Sequence, residues 1–99
     1  MTARIRIPFE AAIWRYPGPA GWYFVTVPAD VSAQIRSVLK AGEQGWGRLK
    51  ASARIGGTEW KTAIWFDTKA DAYLLPVKAE VRRKEGLDDG DAATVTIWV

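Results

Sequence analysis

The run Glu59-Trp60-Lys61-Thr62-Ala63-Ile64-Trp65-Phe66-Asp67 alternates, with Trp60, Thr62, Ile64 and Phe66 on one face and Lys61, Ala63 and Trp65 on the other. A period of two over that length specifies a strand with one buried face. Upstream, Arg48 to Ile55 alternates in the same way, with Leu49, Ala51, Ala53 and Ile55 inward. Gly56-Gly57-Thr58 between them is a tight-turn signal. A two-residue loop at Gly56-Gly57 or at Gly57-Thr58 keeps both apolar sets on one side of the hairpin. Downstream, Thr68 to Asp71 is a polar turn, Tyr73-Leu74-Leu75 a short strand, and Pro76 its stop. The pattern then predicts a helix of about two turns over Val77–Glu85, ended by Gly86. Leu87-Asp88-Asp89-Gly90 turns the chain into a last strand, Asp91–Val99.

The first half of the chain follows the same order. Residues 4–16 alternate, with Ile5, Ile7, Phe9, Ala11 and Ile13 on one face and Arg4, Arg6, Glu10, Ala12 and Trp14 on the other. Pro17-Gly18-Pro19-Ala20-Gly21 breaks the strand, and Trp22-Tyr23-Phe24-Val25-Thr26-Val27 returns as an aromatic and β-branched one that Pro28 stops. Asp30 is then a natural N-cap for a helix with Val31, Ile35, Val38 and Leu39 at helical spacing, Lys40 near its end and Gly42 as its stop. The triplet Ala12-Ile13-Trp14 recurs as Ala63-Ile64-Trp65. Strand, turn, strand, proline, helix and strand therefore occur twice, an internal repeat. Neither half covers its apolar face alone. The expected fold is mainly β with two short helices: two pseudo-two-fold halves interlocked into a barrel of six or seven strands, with a helix over each end.

Composition bounds the chemistry. The 99 residues hold six Trp, three Tyr and three Phe, no Cys and no His, and 14 basic against 11 acidic side chains, a net charge of +3. This is the size of one domain, residues 1–99. Without His or Cys there is no thiol or imidazole nucleophile, no Ser-His-Asp triad, no zinc site of the usual ligands and no disulfide. No glycine loop matches a phosphate-cradling pattern, and nothing in the sequence brings two carboxylates to a working distance. The expectation is therefore a non-enzyme without cofactor or metal. The start has arginines but no sustained apolar run, and no stretch approaches the roughly 18–20 apolar residues of a membrane span. A cytoplasmic protein with no membrane association is expected.

In the second half, Leu75-Pro76-Val77-Lys78-Ala79-Glu80-Val81-Arg82-Arg83-Lys84-Glu85-Gly86-Leu87-Asp88-Asp89-Gly90-Asp91 resembles a segment of the domain-of-unknown-function family numbered 1905. Trp22-Tyr23-Phe24-Val25 to Pro28, and Gly56-Gly57-Thr58-Glu59-Trp60-Lys61-Thr62, are also similar to that family. The resemblance covers nearly the whole chain and implies a double-split β-barrel with helices capping both ends. It also implies a bacterial context, in which members stand alone or are joined to a domain associated with bacteriocin protection. The order proline, helix, Arg, Gly-Leu-x-x-Gly-Asp, strand is more distantly similar to the swapped-hairpin unit of AbrB and MazE type proteins, which dimerise into a DNA-binding barrel. The first half lacks that pattern and has Gly42-Glu43-Gln44-Gly45-Trp46-Gly47 instead. By analogy with the resembled motif, Arg82 or Arg83 is expected to point back at Asp91.

Two sets of residues are candidates for binding. Trp14, Trp65 and Trp98 fall on outward strand faces among cations that include Arg48 and Lys50. Rings among cations are what a planar anionic ligand or single-stranded nucleic acid would use. The competing and favoured reading has the capping helices or a neighbouring chain cover these rings. Trp22 and Trp46 have weaker claims, and Trp60 is assigned to the core. The second set, Lys78, Arg82, Arg83 and Lys84, makes the second helix basic and could face phosphates. Its plainer reading is a solvated face whose cations suit the C-terminal end of the helix dipole and pair with nearby carboxylates. Asp88, Asp89 and Asp91 lack calcium-loop spacing and read as a capped turn around Gly90. The expected function is a non-catalytic binding or interaction module, monomeric or weakly dimeric, for a protein or a small anionic or aromatic ligand. The alternative is an AbrB-like nucleic-acid-binding protein using the second helix and the basic strand.

Overall fold

A computed structural model describes residues 5–39 and 47–99. Among these residues six strands and two helices follow one another as β1 (Arg6–Arg15), β2 (Tyr23–Thr26), α1 (Ala29–Leu39), β3 (Arg48–Ile55), β4 (Thr58–Asp67), β5 (Ala72–Pro76), α2 (Ala79–Glu85) and β6 (Ala92–Trp98). The strands close into an antiparallel barrel in the order β1-β2-β5-β4-β3-β6. In this closed order every strand has a hydrogen-bonded neighbour on both sides over part of its length, which matters for short strands rich in β-branched and aromatic residues. Among the described residues no helix is long and apolar enough to cross a membrane.

The alternation read from the sequence sets the interior. Ile13, Val25, Leu75, Tyr73, Ile64, Leu49, Val95 and Ile97 are buried in one core cluster. Small residues make room for large ones: Ala53 stands in register between Trp60 and Ile97, and the Trp60 ring fills the space to 8% exposure. The β3–β4 hairpin uses Gly56-Gly57 as its two-residue loop, since Ile55 faces Thr58. Gly56 has φ +58°, a conformation that glycine adopts without cost. The same turn is clamped from α2, where Thr58 Oγ1 donates to Glu85 Oε2 at 2.6 Å.

The two helices pack at opposite ends of the β2–β5 ladder. Val27 N–H donates to Tyr73 O at one end of the β2–β5 ladder, and Val77 N–H donates to Tyr23 O at the other, both at 2.9 Å. At the first end α1 inserts Ser32, which is fully buried. Its Oγ donates to Val27 O at 3.1 Å and accepts from Tyr73 N–H at 3.0 Å. Arg36 of the same helix lies 3.7 Å from the Phe66 ring centroid. At the opposite end α2 buries Val81 and sets the Arg82 guanidinium 3.6 Å from the Tyr23 ring centroid.

The expected elements are present with shifted boundaries. α1 starts at Ala29, so Asp30 lies inside its first turn instead of capping it, and the first helical carbonyl is that of Pro28, which accepts from Ser32 N–H. The Asp30 carboxylate still sits at the positive end of the dipole. α2 starts at Ala79, two residues after the expected Val77, because Val77 N–H is committed to the β2–β5 ladder and Lys78 stays extended. Gly86 ends α2 in the left-handed conformation as read. The expected partnership of Arg82 or Arg83 with Asp91 does not form. Arg82 lies on Tyr23, and the Asp91 carboxylate accepts from Asp88 N–H at 2.8 Å. That closes the Asp88–Asp91 turn locally, while Asp89 Oδ1 accepts from Arg15 N–H and Gly90 N–H reaches Ile13 O. The readings of Arg4, Lys40, Gly42 and Trp46 lie outside the described residues.

Candidate aromatic binding face

Strand pleating decides which rings leave the core. In β1 and β2 the in-register pair Trp14 and Phe24 points outward, opposite in parity to the buried pair Ile13 and Val25. In β4 and β5 the outward pair is Trp65 and Leu74. Because β2 and β5 are neighbours, these pairs share one outer wall, β1-β2-β5-β4. Tyr16 and Trp22 flank the Pro17–Gly21 turn, whose ends are tied by Tyr16 N–H donating to Trp22 O. The turn holds both rings over the same wall.

The rings pack as a connected set. Trp14 and Phe24 have centroids 5.2 Å apart, Tyr16 meets Phe24 edge-on at 6.2 Å, and Trp22 stacks on Phe24 at 6.2 Å with 10° between planes. Offset and edge-to-face contacts of this kind each contribute about 0.5–1.5 kcal/mol beyond buried area. The polar atom of Trp14 is satisfied, Nε1–H donating to Thr26 Oγ1 at 2.9 Å. Tyr16, Trp22, Phe24, Trp65 and Leu74 line a groove of about 320 Å³. Tyr16 is 53% exposed and Trp22 55%, so the ridge beside the groove is open to water. An apolar patch of contiguous rings is the surface feature that most often marks a binding site.

The predicted aromatic trio is thus divided. Trp65 lines the groove. Trp14 does not line it but packs against two residues that do, Phe24 and Tyr16. Trp98 lies on β6, in register with Arg6 and Ser52, on the opposite arc of the barrel. All three are half-buried. Arg48 is in register with Trp65 and its guanidinium is 5.9 Å from that ring, at the side of the groove. Lys50 is exposed one pleat further along β3, paired with Ala63. The sequence reading gives Trp22 only a weaker claim and does not mark Tyr16, Phe24 or Leu74 as site residues. The available signal was the shared parity of Trp14 with Tyr16 and of Trp22 with Phe24, together with the Pro-Gly turn that joins them.

The basic helix is partly spent on the fold itself. Lys84 pairs with Glu80 at 3.6 Å, one helical turn away, and Arg82 stacks on Tyr23. Lys78 and Arg83 are exposed. In the basic strand, Arg54 Nε–H donates to Gly56 O. No carboxylate, lysine or arginine lines the aromatic groove, and among the described residues no group of three Asp or Glu could hold a metal ion. The groove can therefore desolvate and stack a flat or aliphatic group.

A search of curated proteins returns no match. A family model, described as a domain of unknown function, DUF1905, matches residues 9–97. That span takes in β2 to β5 and both helices whole and most of β1 and β6, and the chain belongs to the DUF1905 family.

Proposed function

We propose that this domain is a non-catalytic binding module, acting as a monomer or weak homodimer, whose ligand face is the aromatic groove on the β1-β2-β5-β4 wall. One observation carries the reading: exposed, mutually packed rings line a groove without a charged side chain. The test is a titration with 1-naphthol followed by NMR. The Trp22 and Trp65 indole N–H signals should move first, and Trp22→Ala should abolish the shift while leaving thermal unfolding in place. Shifts spread evenly over the surface, or none at millimolar ligand, would overturn the proposal.

The double-split, pseudo-two-fold description is part of the same reading, and register supports it. The first-turn bonds Ser32 to Pro28 and Arg82 to Lys78 relate the helices by 50 residues. The ladders Trp14 with Phe24 and Trp65 with Leu74 then relate β1 to β4 by 51 residues, which is the spacing of the Ala-Ile-Trp repeat. Exchanging β1 with β4, β2 with β5 and β3 with β6 leaves the strand order of the barrel unchanged. The AbrB-like nucleic-acid reading remains the alternative. The pairing of Lys84 with Glu80, which offsets one of the four cations it would use, weighs against it. Binding to random DNA or RNA with a steep salt dependence, lost on Arg83→Ala, would favour it instead.

A further inference from the structure

The two ends of the barrel differ at one equivalent position. In the first turn of α1 that position is Ser32, sealed in the core with both hydrogen-bonding capacities used. In the first turn of α2 it is Arg82, laid on Tyr23. Beside it a cleft of about 330 Å³ lies between α2 and the start of β2, its lining including Gly21, Trp22, Tyr23, Pro76, Lys78 and Arg82. No described carboxylate pairs with Arg82 or Lys78, and Arg82 Nε–H is buried without an acceptor among the described residues. The cleft therefore offers positive charge alone. Trp22 belongs to both features: it lines the apolar groove and the cationic cleft.

We infer that groove and cleft form one bipartite site for a small ligand that joins a planar aromatic ring to an anionic group, phosphate or carboxylate. The ring lies in the groove against Trp22, Phe24 and Trp65, and the anion reaches round Trp22 to Lys78 and Arg82. The inference rests on the groove being a ligand face and adds the anion to it. Ring faces supply apolar contact and by themselves favour cations, whereas a guanidinium and an ammonium beside a shared indole select for negative charge. Arg82 is held in place by its stack on Tyr23, so its guanidinium is ordered before a ligand arrives.

The test compares 1-naphthyl phosphate, 1-naphthol and inorganic phosphate on the full chain by calorimetry or NMR at low salt. Naphthyl phosphate should bind about tenfold or more tighter than naphthol, the size expected of a charge-assisted contact, and inorganic phosphate should bind weakly. Lys78→Ala removes an exposed side chain that makes no capping bond to α2, so the fold is kept. That variant, and Arg82→Gln beside it, should bring naphthyl phosphate close to the affinity of naphthol and leave naphthol binding unchanged. Equal affinity of naphthol and naphthyl phosphate for the native chain, or an undiminished preference in Lys78→Ala, overturns the bipartite site and leaves the groove standing. Inorganic phosphate binding as tightly as naphthyl phosphate also overturns it. Failure of both aromatic compounds to bind overturns the groove reading as well.

Discussion

Ser32→Ala should destabilise this domain far more than the loss of one small hydroxyl suggests. The Ser32 side chain is fully buried and bridges three elements, donating to Val27 O at the end of β2 and accepting from Tyr73 N–H in β5 while it sits in α1. Alanine leaves the Tyr73 N–H without its acceptor, at a fully buried residue. An orphaned buried donor costs about 1–3 kcal/mol, and the lost bond to Val27 O adds about 0.5–1.5 kcal/mol. The sum, about 3 kcal/mol, is a large share of the roughly 5–15 kcal/mol that holds a domain of this size together. It corresponds to a fall in Tm of about 12–24 °C. Urea unfolding followed by tryptophan fluorescence and by far-UV circular dichroism measures it. Ser37→Ala is the control, because Ser37 is exposed and donates only to Gln34 O within the same helix; it should cost under about 0.5 kcal/mol. A loss below about 1 kcal/mol in Ser32→Ala, with the control unchanged, would refute the idea that this hydroxyl locks α1 into the barrel end.

Gly56→Ala should cost about 2 kcal/mol, because alanine resists the left-handed backbone there and its Cβ meets the Glu85 carboxylate that clamps Thr58. Gly57→Ala, with open space and no positive φ, should be near neutral in the same urea titration. Asp91→Ala should cost about 1 kcal/mol by removing the acceptor of Asp88 N–H. Hydrogen exchange should then quicken at Gly90 and Ile13, whose backbone bonds pin the turn to β1, and unchanged protection there would contradict that role.

Much of the architecture was legible because strand alternation and turn chemistry act locally. The parity of Leu49, Ala51, Ala53 and Ile55 against Trp60, Thr62 and Ile64 could be satisfied by only one face of a hairpin, while the choice between a Gly56-Gly57 and a Gly57-Thr58 loop waited for the register of Ile55 with Thr58. Helix starts were less legible. Whether Val77 joins the helix or the strand depends on Tyr23 O, a partner 54 residues away in the chain, since 77 − 23 = 54. The expected bond from Arg82 or Arg83 to Asp91 failed for a related reason: the Tyr23 ring, from the other half, offered Arg82 a desolvated surface that a solvent-exposed carboxylate does not match.

The candidate site divides along the same line. The sequence by itself determined that the protein has no thiol or imidazole chemistry, that rings at Trp14 and Trp65 leave the core, and that Trp60 stays in it. Each of these follows from composition or from a period of two. Which outward rings share a surface was decided only when the barrel closed. Placing β2 and β5 side by side put Phe24, Leu74 and Trp65 on one wall and sent Trp98 to the opposite arc. Neighbourhood around a closed barrel is a property of strand order, and pairing between strands distant in the chain leaves no periodic trace in the sequence.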